Sequence, residues 1–301
     1  MRTQIHLKFV AFALLLALLA ANVPTVLAFP PLPSSFYGVV KMNGVNVANG
    51  TVISARINGV QYAQATVFEY NEDTIYALDV SGDDSSTPGV TEGGVENDTV
   101  VFYIGTWEAY QTASWHGGTN IHRDLSVDVF QATYSLSPGW NLLTLPVDNG
   151  SSFYASAALD EIISQGGNAT EVDRWLNGGW DAYVRPLPFN DYVLELGKGY
   201  FVRTTSASTW TRTGRVLPNP LPIALNFGWN LVGFPKLPRA MTAQDILNGI
   251  ESQGGACSEM DRWLYGGWET FVKGLPFNNF SINNAEGYFI RCTQSSTYTP
   301  N

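Results

Sequence analysis

The sequence predicts a mainly β protein in which a seven-stranded β-sandwich precedes two duplicated β-α-β-β-β modules. Short runs rich in β-branched and aromatic residues alternate with Gly- and Asn-containing turns over the first part of the chain. Residues 164–203 realign on residues 252–291 at a constant offset, which indicates an internal duplication. Charged residues make up 14% of the chain and hydrophobic residues 45%, a composition typical of a folded protein.

The N-terminus has the pattern of a secretory signal peptide over residues 1–28. Two basic residues precede an apolar run at 9–20, and Val26-Leu27-Ala28 places small side chains around a cleavage site. The apolar run is short for a membrane span, and an uncleaved anchor is the alternative. We expect a secreted or cell-surface protein with no membrane span in the mature chain, which begins with a Pro-rich lead-in at 29–35.

The charge of the mature chain disfavours nucleic acid and anionic lipid as partners. Removal of the leader takes away Arg2 and Lys8, so the net charge changes from −10 to −12. The remaining basic residues are not clustered, and an acidic surface repels phosphate groups. The expected partners are therefore an extracellular protein or a polysaccharide, and the oligomeric state stays open.

Residues 36–130 are expected to form the sandwich. The candidate strands cover residues 36–42, 50–57, 63–70, 74–80, 99–105, 109–115 and 121–127. Asn58-Gly59 separates two of these runs and predicts a hairpin, because both residues accept the positive φ of a type I′ turn. Short strands at this spacing are typical of a β-sandwich.

The order of these strands and the segment GDDSSTPG at 82–89 resemble the transthyretin-like, or carboxypeptidase-regulatory-like, β-sandwich. The resemblance covers residues 35–128. Such domains occur in exported and surface proteins, so the resemblance implies an accessory or display module rather than a catalyst.

The duplicated half divides into a first Trp-rich module at 133–212, a linker at 213–222 and a second Trp-rich module at 223–301. Each copy opens with a GWNL strand, continues into a short helix and a DRWLxGGW hairpin, and closes with a GYFVR or GYFIR strand. The helices are expected over 155–165 and 242–253, where apolar residues form a one-sided stripe. The repeat resembles the GWNL…GYF modules of secreted bacterial proteins, a resemblance that implies no particular activity.

The two cysteines of the chain, Cys257 and Cys292, both lie in the second copy. Their counterparts in the first copy are Ala169 and Thr204. Two positions that differ together in this way, in a chain expected to be exported, predict a disulfide bond.

Trp175 and Trp180 recur in the second copy as Trp263 and Trp268. Each pair flanks a Gly-Gly turn, which predicts a cross-strand aromatic contact. These side chains are either the core of a small module or exposed platforms that stack on sugar rings. Their exposure decides between the two interpretations.

The loop at 79–98 contains the candidate calcium ligands Asp79, Asp83, Asp84 and Glu92. Clustered carboxylates repel one another, and Ca²⁺ relieves that repulsion with the oxygen ligands that it prefers. The alternative is an acidic loop that is only solvated. Apart from this calcium, no cofactor is expected.

No arrangement of residues predicts a catalytic centre, and the protein is expected not to be an enzyme. His116 and His122 flank a Gly-Gly turn without a third ligand at metal-binding spacing. Asp173 and Asp261 match between the copies, as do Glu171 and Glu259, but each lies beside an arginine and a tryptophan on a hairpin, and we interpret these carboxylates as ion-paired.

The sequence therefore predicts a secreted, non-enzymatic surface or extracellular-matrix protein with a structural or adhesive role. The alternative is a glycan-binding protein that uses exposed Trp residues of the modules. A more remote alternative is an accessory module of a secreted hydrolase system.

Overall fold

A computed structural model describes residues 31–301, which form twenty-two strands and two helices. The prediction of a mainly β protein is therefore confirmed. The predicted signal peptide at 1–28, and Phe29 and Pro30 of the lead-in, lie outside the described residues. Within 31–301, neither helix has the length and apolar character needed to cross a membrane.

The first ten strands form two sheets. The strands are β1 (Ser34–Met42), β2 (Val45–Asn46), β3 (Val52–Ile57), β4 (Val60–Thr66), β5 (Phe68–Tyr70), β6 (Asp73–Val80), β7 (Thr99–Ile104), β8 (Trp107–Ser114), β9 (Asn120–His122) and β10 (Leu125–Val127). One sheet has the order β10-β1-β6-β5, with β2 and β9 also paired to β1, and the other has the order β4-β3-β7-β8.

Alternate residues of these strands form one hydrophobic core that both sheets share. Phe36 and Tyr76 come from the first sheet, and Ile53 and Phe102 come from the second. The rings of Phe36 and Phe102 meet edge to face with centroids 5.2 Å apart. This period of two is the pattern expected of strands buried on one face.

Two of the candidate strands are each divided in the structure. The run at 63–70 is split at the buried Val67, where the chain leaves the second sheet as β4 and joins the first as β5. The run at 121–127 is split into β9 and β10 because the Asp124 carboxylate takes the place of a strand partner and accepts a hydrogen bond from Val39 N at 2.8 Å. The hairpin at Asn58-Gly59 is present, with positive φ at both residues.

The remaining elements repeat in order. The first copy contains β11 (Val129–Leu136), β12 (Gly139–Thr144), α1 (Ala155–Ser164), β13 (Ala169–Leu176), β14 (Gly179–Val184), β15 (Gly199–Thr204) and β16 (Ser208–Arg215). The second contains β17 (Ile223–Leu225), β18 (Gly228–Gly233), α2 (Ala243–Ser252), β19 (Cys257–Leu264), β20 (Gly267–Val272), β21 (Gly287–Cys292) and β22 (Ser296–Tyr298).

Each copy builds a four-stranded sheet with the same order, β12-β15-β13-β14 in the first and β18-β21-β19-β20 in the second. A helix covers one face of each sheet through its apolar stripe, which includes Leu159 in α1 and Leu247 in α2. A separate two-stranded ladder, β11-β16 or β17-β22, adjoins each core.

The boundary between the copies differs from the predicted linker at 213–222. Strand β16 continues to Arg215 because its last residues pair with the start of β11. The guanidinium of Arg215 also pairs with Glu108 of the N-terminal sheets at 3.0 Å and with Asp148 at 3.3 Å. The start of the predicted linker is thus a structured contact between the N-terminal sheets and the first copy.

The predicted disulfide bond between Cys257 and Cys292 is present. Cys257 begins β19 and Cys292 ends β21, and the two residues are direct register partners with α-carbons 3.9 Å apart. Ala169 and Thr204 are register partners at the same place in the first copy. The bond therefore joins two strands that already lie side by side.

We predict that the variant Cys257→Ala, Cys292→Thr, which restores the residue pair of the first copy, lowers the free energy of unfolding. The bond closes a loop of 35 residues, for which the loop-entropy relation gives roughly 3–4 kcal/mol. Urea unfolding with and without a reductant measures this difference. The variant itself should not respond to the reductant, and an unchanged unfolding midpoint in the reduced wild type would contradict the prediction.

Candidate functional site

The two four-stranded sheets pack against each other through the faces that the helices leave open. Each copy contributes the same five side chains to this contact. We call this set the aromatic interface, and it consists of Trp140, Leu142, Trp175, Trp180 and Phe201 from the first copy and Trp229, Leu231, Trp263, Trp268 and Phe289 from the second.

The closing strand of each copy explains why two opposite faces of one sheet are apolar. Tyr200 and Val202 belong to the core beneath α1, whereas Phe201 between them points the other way into the aromatic interface. The same alternation places Phe289 in the interface from β21. A strand that is apolar on both faces is typical of a sheet covered on both sides.

The contacts across the aromatic interface are reciprocal. The indole N–H of Trp175 donates to the carbonyl oxygen of Trp229 at 3.0 Å, and the indole N–H of Trp263 donates to the carbonyl oxygen of Trp140 at 2.9 Å. Each contact recurs with the roles of the two copies exchanged. The two copies are therefore related by a pseudo-twofold axis, as in a symmetric dimer.

The backbones also meet in pairs around this axis. Thr144 N donates to Ala285 O, and Gly233 N donates to Gly197 O, each at 3.1 Å. Gly233 occupies the position that is Thr144 in the first copy, and a β-carbon there would overlap the Thr144 side chain. Glycine at 233 is therefore required by the close approach of the two strands.

The four tryptophans considered as ligand platforms separate into two groups. Trp175 and Trp263 are half-buried and donate their indole N–H groups within the interface. Trp180 and Trp268 are 51% and 49% exposed. The expected cross-strand contacts are present, with centroids 5.1 Å apart for Trp175–Trp180 and 5.0 Å apart for the equivalent pair.

Trp180 and Trp268 lie on both sides of the same pair of phenylalanines. Trp180 contacts Phe201 and Phe289 edge to face, with centroids 5.5 and 5.9 Å apart. Trp268 contacts the same two rings at 5.9 and 5.7 Å. The pseudo-twofold axis thus places one half-exposed indole from each copy at a common surface.

Asp173 lies on the same face of the sheet as this surface, because its register partners are Phe201 and Ala182. Its Oδ1, and that of the equivalent Asp261, is buried and has no hydrogen-bond partner among the described residues. Burial raises the pKa of Asp173 to about 6, and the neighbouring Glu171 adds to the increase. Burial also raises the pKa of Asp261.

The interpretation as ion-paired is therefore wrong for these two aspartates, whereas Glu171 and Glu259 do form ion pairs. Arg174 pairs with Asp181 at 2.7 Å instead, and Arg203 pairs with Glu171 at 3.5 Å. Neighbouring residues of a strand point to opposite faces, so Arg174 cannot reach Asp173 across the sheet. Each module therefore keeps one buried carboxylate oxygen without a hydrogen-bond partner among the described residues.

Each of the four candidate calcium ligands in the loop at 79–98 accepts a hydrogen bond from another residue of the chain. Asp83 accepts from Glu92 N at 3.0 Å, and Glu92 accepts from the Thr87 hydroxyl at 2.6 Å. Asp84 accepts from Ser86, which lowers the pKa of Asp84, and Asp79 accepts from the Ser35 hydroxyl. Within residues 31–301, no three acidic, histidine or cysteine side chains are grouped to hold a metal ion. Calcium binding by this loop stays a prediction.

The two histidines interact with different carboxylates rather than with each other. The ring of His116 contacts Glu96, and the ring of His122 lies 3.1 Å from Asp124. His122 also packs on Tyr37, with ring centroids 5.3 Å apart. Each histidine is thus paired with one carboxylate of a neighbouring loop or strand at the surface.

Comparison with known proteins finds no matching family model, no similar curated protein and no similar solved structure. The resemblances to the transthyretin-like sandwich and to the GWNL…GYF modules therefore stay predictions.

We predict that Gly233→Ala destabilises the aromatic interface, because the added methyl group overlaps Thr144. Overpacking of this kind costs about 1–3 kcal/mol of the free energy of unfolding. Urea unfolding measures the loss, and limited proteolysis at 216–222 should become faster as the copies separate.

Two further variants serve as controls for this prediction. Gly267→Ala places its β-carbon near only Leu264 O, at 3.9 Å, and should leave the stability unchanged. The exchange Thr144→Gly, Gly233→Thr moves the same contact to the other side of the pseudo-twofold axis and should restore stability. Equal stability of Gly233→Ala and the wild type would show that the two strands are not in close contact.

Proposed function

We propose that this chain is a secreted, non-enzymatic surface or extracellular-matrix protein with a structural or adhesive role. In this proposal the two N-terminal sheets are a transthyretin-like β-sandwich that acts as a display module, and the duplicated half is a pair of β-α-β-β-β modules. The observation that carries it is the aromatic interface, which joins the two copies through reciprocal contacts into one body.

Three further features support a mechanical role. The disulfide bond fixes the closing strand of the second copy, and it is chemistry suited to an oxidising compartment. Arg215 connects the N-terminal sheets to the first copy through two ion pairs. The hydroxyl of Tyr110 donates to Val216 O at 2.9 Å across the same contact. The three parts of the chain are thus in direct contact from end to end.

Surface labelling of producing cells tests this proposal. Antibodies raised against folded residues 29–301 should label intact cells that make the full chain, or detect the protein in their medium. N-terminal sequencing of the recovered protein should begin after residue 28. A variant that lacks residues 2–28 should stay inside the cell, and wild-type protein released only by lysis with its leader intact would overturn the proposal.

The half-exposed Trp180 and Trp268 favour a second candidate function, the binding of a glycan. Indole faces stack on the apolar faces of sugar rings, and here one from each copy reaches a common surface. The third expectation, an accessory module of a secreted hydrolase system, stays a prediction.

We predict that Trp180→Ala, Trp268→Ala weakens binding to an immobilised polysaccharide that the wild type retains. Aromatic contacts contribute about 0.5–1.5 kcal/mol each, so removal of both should raise the dissociation constant about tenfold or more. Tyr265→Asn is the control, because Tyr265 is 93% exposed on the hairpin next to Trp268. An equal loss in the control would mean that any exposed aromatic residue holds the polysaccharide and would contradict a specific site.

A further inference from the structure

Two clefts lie between the copies and are related by the pseudo-twofold axis. The first, cleft A, has a volume of about 760 Å³ and is lined by Asn177, Glu195 and Lys198 of the first copy and Phe227 and Trp229 of the second. The second, cleft B, has a volume of about 690 Å³ and is lined by the equivalent residues Tyr265, Asn283, Glu286, Pro138 and Trp140. Both volumes are in the range of about 300–1,000 Å³ found for ligand pockets.

The polar side chains of cleft B are occupied by contacts within their own copy. The Asn283 side-chain oxygen accepts from Ala285 N at 2.9 Å. The Glu286 carboxylate accepts from the Tyr288 hydroxyl at 3.1 Å. Pro138 takes the position that is Phe227 in cleft A, and the most exposed aromatic side chain of cleft B is instead Tyr265, at the position that is Asn177 in cleft A.

The equivalent side chains of cleft A have no such hydrogen bonds within the described residues. Within residues 31–301, the side chains of Asn177, Glu195 and Lys198 form no hydrogen bond and no ion pair, although all three line one cleft. Phe227 is 75% exposed at the same cleft. Cleft A therefore combines an aromatic face with a free amide, a free carboxylate and a free ammonium group.

The backbone around Phe227 is fixed in place before any ligand arrives. Asn230 Oδ1 accepts from Asn226 N at 2.7 Å, and Asn230 Nδ2 donates to Asn226 O at 2.8 Å. Phe227 N donates to the Ser295 hydroxyl at 3.2 Å. A ligand at cleft A thus meets a prearranged wall, which lowers the entropy cost of binding.

We propose that cleft A binds a short segment of an uncharged oligosaccharide. A sugar ring presents an apolar face to Phe227 and hydroxyl groups that both donate and accept, which matches Glu195 as acceptor and Lys198 and Asn177 as donors. A purely apolar ligand leaves two charged groups in the cleft without hydrogen bonds. A strongly anionic ligand is repelled by Glu195. This proposal is independent of the surface formed by Trp180 and Trp268.

The test uses the mature protein, residues 29–301, and immobilised trisaccharides of glucose, mannose, xylose and N-acetylglucosamine as probes. The cleft A variants are Lys198→Met and Phe227→Ala, combined and separate. The matched variant in cleft B is Glu286→Gln, at the position equivalent to Lys198. Trp180→Ala, Trp268→Ala is measured in parallel to report on the other surface. Lys198 and Phe227 are both exposed, so the thermal unfolding temperature should stay unchanged in the cleft A variants.

We expect the wild type to bind at least one trisaccharide. The combined cleft A variant should raise that dissociation constant about tenfold or more, because a hydrogen bond to a charged group and an aromatic contact are both removed. Glu286→Gln should leave it unchanged, and the double tryptophan variant reports how much trisaccharide binds at the other surface. The proposal is overturned if no trisaccharide binds, or if the combined cleft A variant binds every trisaccharide as the wild type does. Neither result bears on surface labelling of producing cells, which tests the structural role separately.

Discussion

The aromatic interface, in which Trp180 and Trp268 each contact both Phe201 and Phe289, is the interaction on which the duplicated half depends. One helix covers only one face of a four-stranded sheet, so each copy by itself leaves an apolar face in water. Duplication supplies a second face of the same shape and chemistry, and the two faces cover each other. Burial of apolar area does not by itself set how the two sheets are oriented. The two reciprocal tryptophan hydrogen bonds fix that orientation.

The two copies close their cores in different ways around this shared contact. In the first copy, β11 and β16 form a ladder of eight residues on each strand, and in the second, β17 and β22 have three residues each. The disulfide bond lies in the copy with the shorter ladder, four residues before β22. The covalent bond between β19 and β21 thus lies in the copy whose terminal ladder has fewer backbone hydrogen bonds.

The sequence predicts local features of this structure well because they depend on local patterns. The duplication, the tryptophan pairs across each Gly-Gly turn and the Cys257–Cys292 bond all follow from residue spacing. The contact between copies is not local, and a GYF strand alone does not tell which side Phe201 faces or what covers it. The exposure of Trp180 and Trp268 follows from that contact and could not be predicted either. The ion pairing of Asp173 was a different error, because the period of two already places Arg174 on the opposite face.

Asp173 and Asp261 break the rule that a buried charged group is paired, and both copies keep the exception. The pKa of Asp173 is raised to about 6 in the folded protein, whereas an unfolded aspartate titrates near its ordinary value of about 4. The folded state therefore binds more protons between these values, and the stability that this carboxyl group contributes at low pH is lost as the pH rises through that window. At neutral pH the carboxylate lowers stability. The register places Asp173 opposite Phe201 and Asp261 opposite Phe289, so a cost of the same kind arises in each copy on the sheet face that packs against the other copy.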